Sequence, residues 1–391
     1  ASLPDWPDYM QQLVLLGPQS LEQLGDPSDA QARQDQYRYL HQLISHAYFY
    51  LQYQNPRYPD FWPIFNQAYP WGWANPDDSY YIAVVEDTGI YRLSGARGTT
   101  RIVDFMTGTG DFTPYGKGQM GPTTSYDLDR NAKLSKDGSF ELILSAERPK
   151  DWKGNWWKLE PKTTYMLVRQ RGYDWVREVD GRFAIERLDV PAAKPRDSAE
   201  RIAEGLRRLP EFVANWNAWR QGVIDNLHGK GAVNKLIVIR NDAWFKNQAY
   251  VQGLFDLQPD EALILETEVP DKCGYWGFQV THERSTGLDW RTHMTSINGF
   301  DAKLDKDGKF RAVVSAKDPG VPNWLDTAGY QRGIIQGRWK DCSSTPLSTA
   351  TKVKLADVRG HLPADTPMVT TQQREAALRL RDQGAQFRRQ W

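Results

Sequence analysis

Between Tyr275 and Asn298 the chain reads YWGFQVTHERSTGLDWRTHMTSIN, and His282, Glu283, Asp289, Arg291 and His293 fall within twelve positions. These are the residue types of acid/base chemistry. Histidine exchanges a proton near neutral pH, a carboxylate fixes its tautomer, and arginine holds a developing anion. His293 is the expected proton shuttle, with Glu283 or Asp289 as its partner. Arg291 and Asn298 are expected to hold an oxyanion or hydroxyl. Strand alternation can send two or three of these side chains to one face. The competing reading is a polar strand edge with ordinary surface ion pairs. His282 and His293 make no HxH or HExxH pair, so no metal site is expected, and His282 is counted with the ligand-binding residues. There is no GxSxG elbow, and neither Cys273 nor Cys342 has an evident histidine partner, which leaves nucleophilic hydrolysis unsupported.

A second stretch could supply the walls of a pocket. Residues 55–78 read NPRYPDFWPIFNQAYPWGWANPDD. Prolines exclude regular helix here, and aromatics crowd in. So apolar a loop must cover something, either as a lid on the core or with Trp71 and Trp73 facing a ligand. An indole offers a wide apolar surface and one donor, and the chain holds sixteen of them. Trp276 and Trp290 would complete the walls, with Asp77 and Tyr80 contributing at the end of the loop. The adjacent Asp77 and Asp78 equally suit plain turn chemistry. The expected ligand is an uncharged, ring-containing small molecule such as a glycoside or a polycyclic alcohol.

The elements that must position these residues announce themselves by repetition. Lys133 to Ala146 reads KLSKDGSFELILSA and Lys303 to Ala316 reads KLDKDGKFRAVVSA, identical at eight of fourteen positions, and Asn155-Trp156 answers Asn323-Trp324. The spacing of about 170 residues is far above the roughly 20–50 of a solenoid, so this is a duplicated domain. Residues shared by both copies serve the shared fold, and chemistry is better sought where the copies differ.

The fold expected is mainly β with helical additions: two similar antiparallel sandwich or jelly-roll-like units. Residues 1–78 comprise a helical segment, N-capped near Ser28 and Asp29, followed by the aromatic lid loop. Residues 79–191 form the first β unit, with strands at Tyr80–Val85, Tyr91–Ser94, Thr100–Met106, Phe140–Leu144, Tyr165–Gln170 and Phe183–Leu188. Residues 192–260 are a helical bridge and connector, 261–355 the second β unit, and 356–391 a tail ending in a helix. That helix carries Arg374, Arg379, Arg381 and Arg388, and is read as solvated or as packing across a subunit interface in a homo-oligomer.

Composition removes whole classes. Forty-nine basic residues balance forty-nine acidic ones, so no electrostatic case exists for nucleic acid or an anionic membrane. No apolar run approaches the roughly 20 residues of a membrane span. The glycines after Thr107 form no phosphate loop, and no cofactor is expected. Cys273 and Cys342 form no CxxC; a disulfide, buried thiols and free thiols all stay open. The opening Ala-Ser-Leu-Pro shows no signal-peptide pattern, and the expectation leans to the cytoplasm.

At this point the chain resembles a known family. Asn75 to Tyr80, Tyr91 to Gly95 and Asp137 to Phe140 resemble the first unit of bacterial proteins that carry the domain of unknown function numbered 1214. Tyr275 to Gln279, Thr295 to Gly299, Asp307 to Phe310 and Asp318 to Thr327 resemble the domain itself. The likeness implies a largely β, jelly-roll-like architecture over most of residues 75–345 and brings no established reaction. Where the family often has Arg-Gln, this chain has His293-Met294, which implies altered chemistry or a site without catalytic demand there. The combined expectation is a cofactor-independent acid/base enzyme, a hydrolase, lyase or isomerase. Its rival is a non-catalytic protein that binds a carbohydrate or hydrophobic ligand.

Overall fold

Each Lys-Asp-Gly turn uses the freedom of its glycine: Gly138 and Gly308 take φ of 80° and 78°, values that side chains with a Cβ resist. The strands that follow are the centre of two matching units. The structure, a computed structural model, describes residues 3–70, 72–110, 123–240, 246–284 and 286–388.

The first unit contains β1 (Trp62–Pro63), β2 (Asp78–Val84), β3 (Tyr91–Ala96), β4 (Ile102–Thr109), β5 (Thr123–Asp127), β6 (Ser139–Ser145), β7 (Asn155–Lys158), β8 (Thr163–Arg171) and β9 (Arg182–Arg187). The second contains β10 (Ile237–Arg240), β11 (Gln248–Asp256), β12 (Glu261–Thr267), β13 (Cys273–His282), β14 (Ser296–Asn298), β15 (Phe310–Ser315), β16 (Trp324–Asp326), β17 (Arg332–Cys342) and β18 (Thr349–Lys354). The large sheets run β1-β2-β8-β4-β5 and β10-β11-β17-β13-β14; the small sheets run β7-β6-β3-β9 and β16-β15-β12-β18. The two topologies are the same strand for strand, down to the parallel closing pairs β6–β7 and β15–β16.

The repeated asparagine does the same structural work in each copy. The Asn155 side chain accepts from the Lys133 amide and donates to the Lys133 and Glu141 carbonyls. Asn323 accepts from the Lys303 amide and donates to the Lys303 and Arg311 carbonyls. Each sandwich is filled from both sheets, by Tyr91, Phe105, Leu142 and Val168 in the first unit and by Phe255, Phe278, Phe310 and Trp339 in the second. Each such side chain contributes roughly 1.5–3 kcal/mol on leaving water.

One boundary differs from expectation. The second unit begins at Ile237 rather than 261, because β10 and β11 are strands of its large sheet. In β11 the alternate residues Gln248, Tyr250 and Gln252 are polar, while Ala249, Val251 and Phe255 turn into the unit's own core. That polar side hides the strand from a search for apolar alternation. The lid loop likewise contains a strand, β1, paired to β2.

Helices wrap the joined units. They are α1 (Trp6–Leu24), α2 (Ala30–Tyr48), α3 (Leu128–Asn131), α4 (Ala199–Arg207), α5 (Leu209–Gly229) and α6 (Thr371–Phe387). Asp29 caps α2 by accepting from the Ala32 amide at 2.7 Å. Leu16, Leu43, Phe212 and Trp216 from α1, α2 and α5 share one core with Ile82 and Leu167 of the first large sheet. The C-terminal helix α6 packs on its own chain: Arg374, Arg381 and Ala385 are buried, and Arg381 donates to the Trp290 carbonyl and the Ser296 hydroxyl.

Candidate functional site

The outward faces of the two large sheets are polar where they meet; farther along, Ile82 and Leu167 on one and Leu254 and Ile334 on the other turn into apolar clusters with the helices. Cross-strand partners Asp78 and Arg171 form a buried two-point pair, with Nε–Oδ1 and Nη2–Oδ2 both 2.6 Å. The same guanidinium reaches across the junction, donating to Gln248 Oε1 at 3.1 Å and lying 4.2 Å over the Tyr275 ring. Lys340 of β17 approaches Asp104 of β4 at 3.6 Å. Burial by itself would raise the Asp78 carboxyl, but Arg171, Arg169 and Arg338 outweigh it and hold it below the usual range.

Asp77 is part of this layer. Its carboxylate accepts from Tyr275 Oη at 2.6 Å, from Trp175 Nε1 at 2.8 Å and from Asn298 Nδ2 at 2.8 Å. Burial and the Asp77 charge push the Tyr275 hydroxyl far up, so it stays a neutral donor. Asp77 and Asn298, both expected at the site, are therefore brought together. Tyr80 stands beside them and donates to Asp78 at 3.0 Å. Tyr80 and Trp290 also line a cavity of about 60 Å³, room for a few waters at ~10–15 Å³ each but not for a ring compound.

Trp73 closes the layer. Its backbone sits at φ 55°, a left-handed setting that costs a bulky residue on the order of 1–3 kcal/mol. Its carbonyl accepts from Arg338 at 3.0 Å, and its ring lies 4.8 Å from that of Trp219. The lid loop is thus packed on the core at Trp73. Trp71 lies outside the described residues. Trp276 is a core residue of the second unit, against Phe310 and Trp339.

His282 and Glu283 are elsewhere. They line an open groove of about 720 Å³ together with Arg284, Tyr330 and Arg332 from the second unit and Asp29 and Asp35 from the N-terminal helices. His282 Nδ1 accepts from the Arg284 amide at 3.1 Å, which puts the ring proton on Nε2. Burial, helped by Arg284, Arg220 and Arg38, pushes the imidazole down to about 3. His282 is therefore a fixed neutral donor at physiological pH.

His293 has a different partner from the two expected. Its Nδ1 is 2.7 Å from Asp326 Oδ2; the carboxylate is buried and the imidazole is 40% exposed. The Asp326 hydrogen bond raises the His293 pKa against the opposing effect of burial. The other Asp326 oxygen accepts from the Ala328 amide at 2.7 Å, and Ala328 lies on the wall of the His282 groove. Asp289 caps the intervening turn, accepting from Arg291 and Thr292, and Arg291 pairs with Asp382 of α6 at 2.7 Å. The residues expected at one site are thus dispersed: Asp77, Asn298, Tyr80 and Trp73 between the units, His282 and Glu283 in the groove, His293 with Asp326, Asp289 and Arg291 in the turn beside α6, Trp290 on the small cavity and Trp276 in the second core. Asp326 had a signal in the string Asp318 to Thr327. Tyr275 had one in the string Tyr275 to Gln279, but Arg171 had none, because only the pairing of the sheets brings it to Asp78 and Tyr275. Among the described residues no cluster of three or more His, Cys, Asp or Glu side chains could hold a metal ion.

A family model and one solved structure agree with this architecture. The family model described as "Protein of unknown function (DUF1214)" matches residues 113–174 and 255–334, one stretch in each unit. A solved structure of an uncharacterized protein from Burkholderia cenocepacia is similar at 30% identity and TM-score 0.81, over 90% of this chain and 97% of that one. The VPA0106 protein from Vibrio parahaemolyticus aligns at 11% identity and TM-score 0.44, over 81% of this chain and 98% of that one. No curated protein matches. With the duplicated strand order, the two family matches and a relative aligned along nearly its whole length, the chain belongs to the DUF1214 family.

Proposed function

We propose that the protein is a cofactor-independent acid/base enzyme, a hydrolase, lyase or isomerase, acting on an uncharged ring-containing small molecule such as a glycoside. The observation that carries this reading is the 2.7 Å contact between buried Asp326 and half-exposed His293. A carboxylate on Nδ1 fixes the tautomer and stabilises the imidazolium, leaving Nε2 to exchange a proton with a substrate. Because Asp326 raises the His293 pKa, the protonated form extends to higher pH, which suits a general acid. Positioned acid/base groups contribute about 10²–10⁴-fold in rate.

The test is a panel of 4-nitrophenyl glycosides with wild type, His293→Ala and Asp326→Asn. Release of 4-nitrophenol by wild type, lost at least a hundredfold in His293→Ala with the Tm within a few degrees, supports the reading. Equal rates in wild type and His293→Ala remove His293 from the chemistry.

A second reading, binding without turnover, is favoured by His282, whose fixed neutral imidazole can recognise a ligand but is a poor base. The Cys273–Cys342 disulfide, which joins facing residues of β13 and β17, favours an oxidising compartment over the expected cytoplasm. No helix among the described residues is long and apolar enough to cross a membrane. Exposed Trp6, Met10 and Val14 recur every fourth residue on α1, which supports the expected self-association better than α6 does.

A further inference from the structure

The groove between α2 and the end of β13 contains two polar groups whose hydrogen bonding the fold leaves open. His282 Nε2 has no hydrogen-bond partner among the described residues, since only Nδ1 is engaged. The Glu283 carboxylate makes no hydrogen bond with any described residue, and acts on Arg284 and Arg220 only through its charge. These are a donor and an acceptor on adjacent residues, both lining the same groove. The other carboxylates there are occupied. Asp29 caps α2, and Asp35 holds Arg38 at 2.7 Å and accepts from Tyr330 Oη at 3.2 Å. Tyr330 stands edge to face with His282, ring centroids 4.5 Å apart, and gives the groove an aromatic surface.

We propose that this groove binds an uncharged cyclic polyol or sugar, with Glu283 and His282 Nε2 on neighbouring hydroxyls and Tyr330 against the ring. The chemistry selects that class in three steps. A vicinal diol presents on adjacent carbons one hydroxyl that donates and one that accepts, which matches a carboxylate and an N–H on adjacent residues. Aromatic edges and faces suit the apolar C–H surface of a ring. Charge favours no ion strongly: Asp29, Asp35 and Glu283 share the walls with Arg284 and Arg332, so neither an anion nor a cation meets a surface of one sign. The groove's volume, about 720 Å³, falls within the roughly 300–1,000 Å³ of small-molecule sites. The inference does not depend on catalysis at His293. The two share only the loop in which Asp326 holds the Ala328 amide.

Binding is measured by saturation-transfer NMR and calorimetry. The neutral probes are methyl α-D-glucopyranoside and myo-inositol; glucosamine and glucuronate are charged counterparts. The neutral probes are expected to bind wild type with Kd on the order of millimolar, more tightly than either charged ring. Binding is expected to stay constant between pH 5 and 8, because His282 remains neutral there. Glu283→Ala should weaken it at least tenfold. Gln31→Trp, at an exposed position on the α2 wall, should block it without touching the core. His293→Ala should leave it unchanged, so that a failed turnover assay and a failed binding assay are told apart. Absence of neutral-probe binding to wild type overturns the proposal. So does tighter binding of a charged ring, or undiminished binding in both Glu283→Ala and Gln31→Trp.

Discussion

Arg171→Met tests whether the two β units are held together by the charged layer between them. In the wild type the guanidinium makes two 2.6 Å bonds to Asp78, one bond to Gln248 across the junction, and a stacked contact with Tyr275. The substitution leaves Asp78 buried with the Tyr80 hydroxyl at 3.0 Å and Arg169 at 3.8 Å. Stranding one partner of a buried pair costs about 3–5 kcal/mol. Arg169 and Arg338 still act on Asp78, so we expect the lower end, ~3 kcal/mol. Asp78→Leu strands Arg171 instead and should cost a similar amount.

The double variant Asp78→Leu/Arg171→Met leaves neither charge unpaired, and apolar replacement of a whole buried pair is often close to neutral. It should therefore be more stable than either single variant, with a coupling of at least about 2 kcal/mol in the cycle. Urea unfolding at pH 7, followed by tryptophan fluorescence, gives all four values. The pH dependence supplies a sign check. The folded Asp78 pKa is depressed, so its contribution is present above the unfolded value near 3.9 and is lost as pH falls through the folded one. The deficit of Arg171→Met should shrink in acid. Additive single variants, or a cost below about 1 kcal/mol for Arg171→Met, would refute the view that this layer joins the units.

Three other outcomes are expected. His46 is enclosed by Phe49, Tyr50, Trp62 and Tyr69, and burial holds it well below 6.5. Its stabilising effect is present above the unfolded value and falls by about 1.4 kcal/mol per pH unit below it, so His46→Leu should flatten the stability curve between pH 6.5 and 4.5; parallel curves would remove His46 as the cause. The folded His293 pKa is raised, so the Asp326 contact stabilises most below pH 6.5 and is lost as pH rises through the folded value. Urea midpoints of Asp326→Asn should therefore lag wild type more at pH 6 than at pH 9, and a gap that widens toward pH 9 would count against the pair. Reaction of the unreduced, unfolded chain with a thiol reagent should find no free cysteine, and Cys342→Ser should cost up to ~4 kcal/mol for a loop of this length; two reactive thiols would contradict the cross-strand bridge.

The β units were legible in the sequence because their signals are local. A turn glycine, an apolar run and a repeated Asn-Trp need no knowledge of distant contacts, and Gly138, Gly308, Asn155 and Asn323 behave as their spacing implies. The site was less legible because its logic is non-local. His293 does meet a carboxylate, but nearness in sequence points to Glu283 and Asp289 instead. The partner, Asp326, comes from β16, which pairs in parallel with β15 and so returns from the far side of a crossover. Asp77 and Asn298 meet only because β2 and β14 belong to sheets that face each other. Polar strand faces had the same effect on the boundary near Ile237. A face that looks solvent-exposed by pattern is buried here against a second polar face. Alternation detects which side of a strand is apolar, and cannot detect that the opposite side has a polar partner 77 residues away, as Arg171 has in Gln248. Duplication supplies what alternation lacks. Arg169 and Arg171 of β8 correspond to Arg338 and Lys340 of β17, at the same register positions opposite Tyr80 and Tyr250, and Asp78 and Gln248. Cations recurring at matched positions on the two large sheets, where each copy by itself would leave them facing water, point to a junction between the copies.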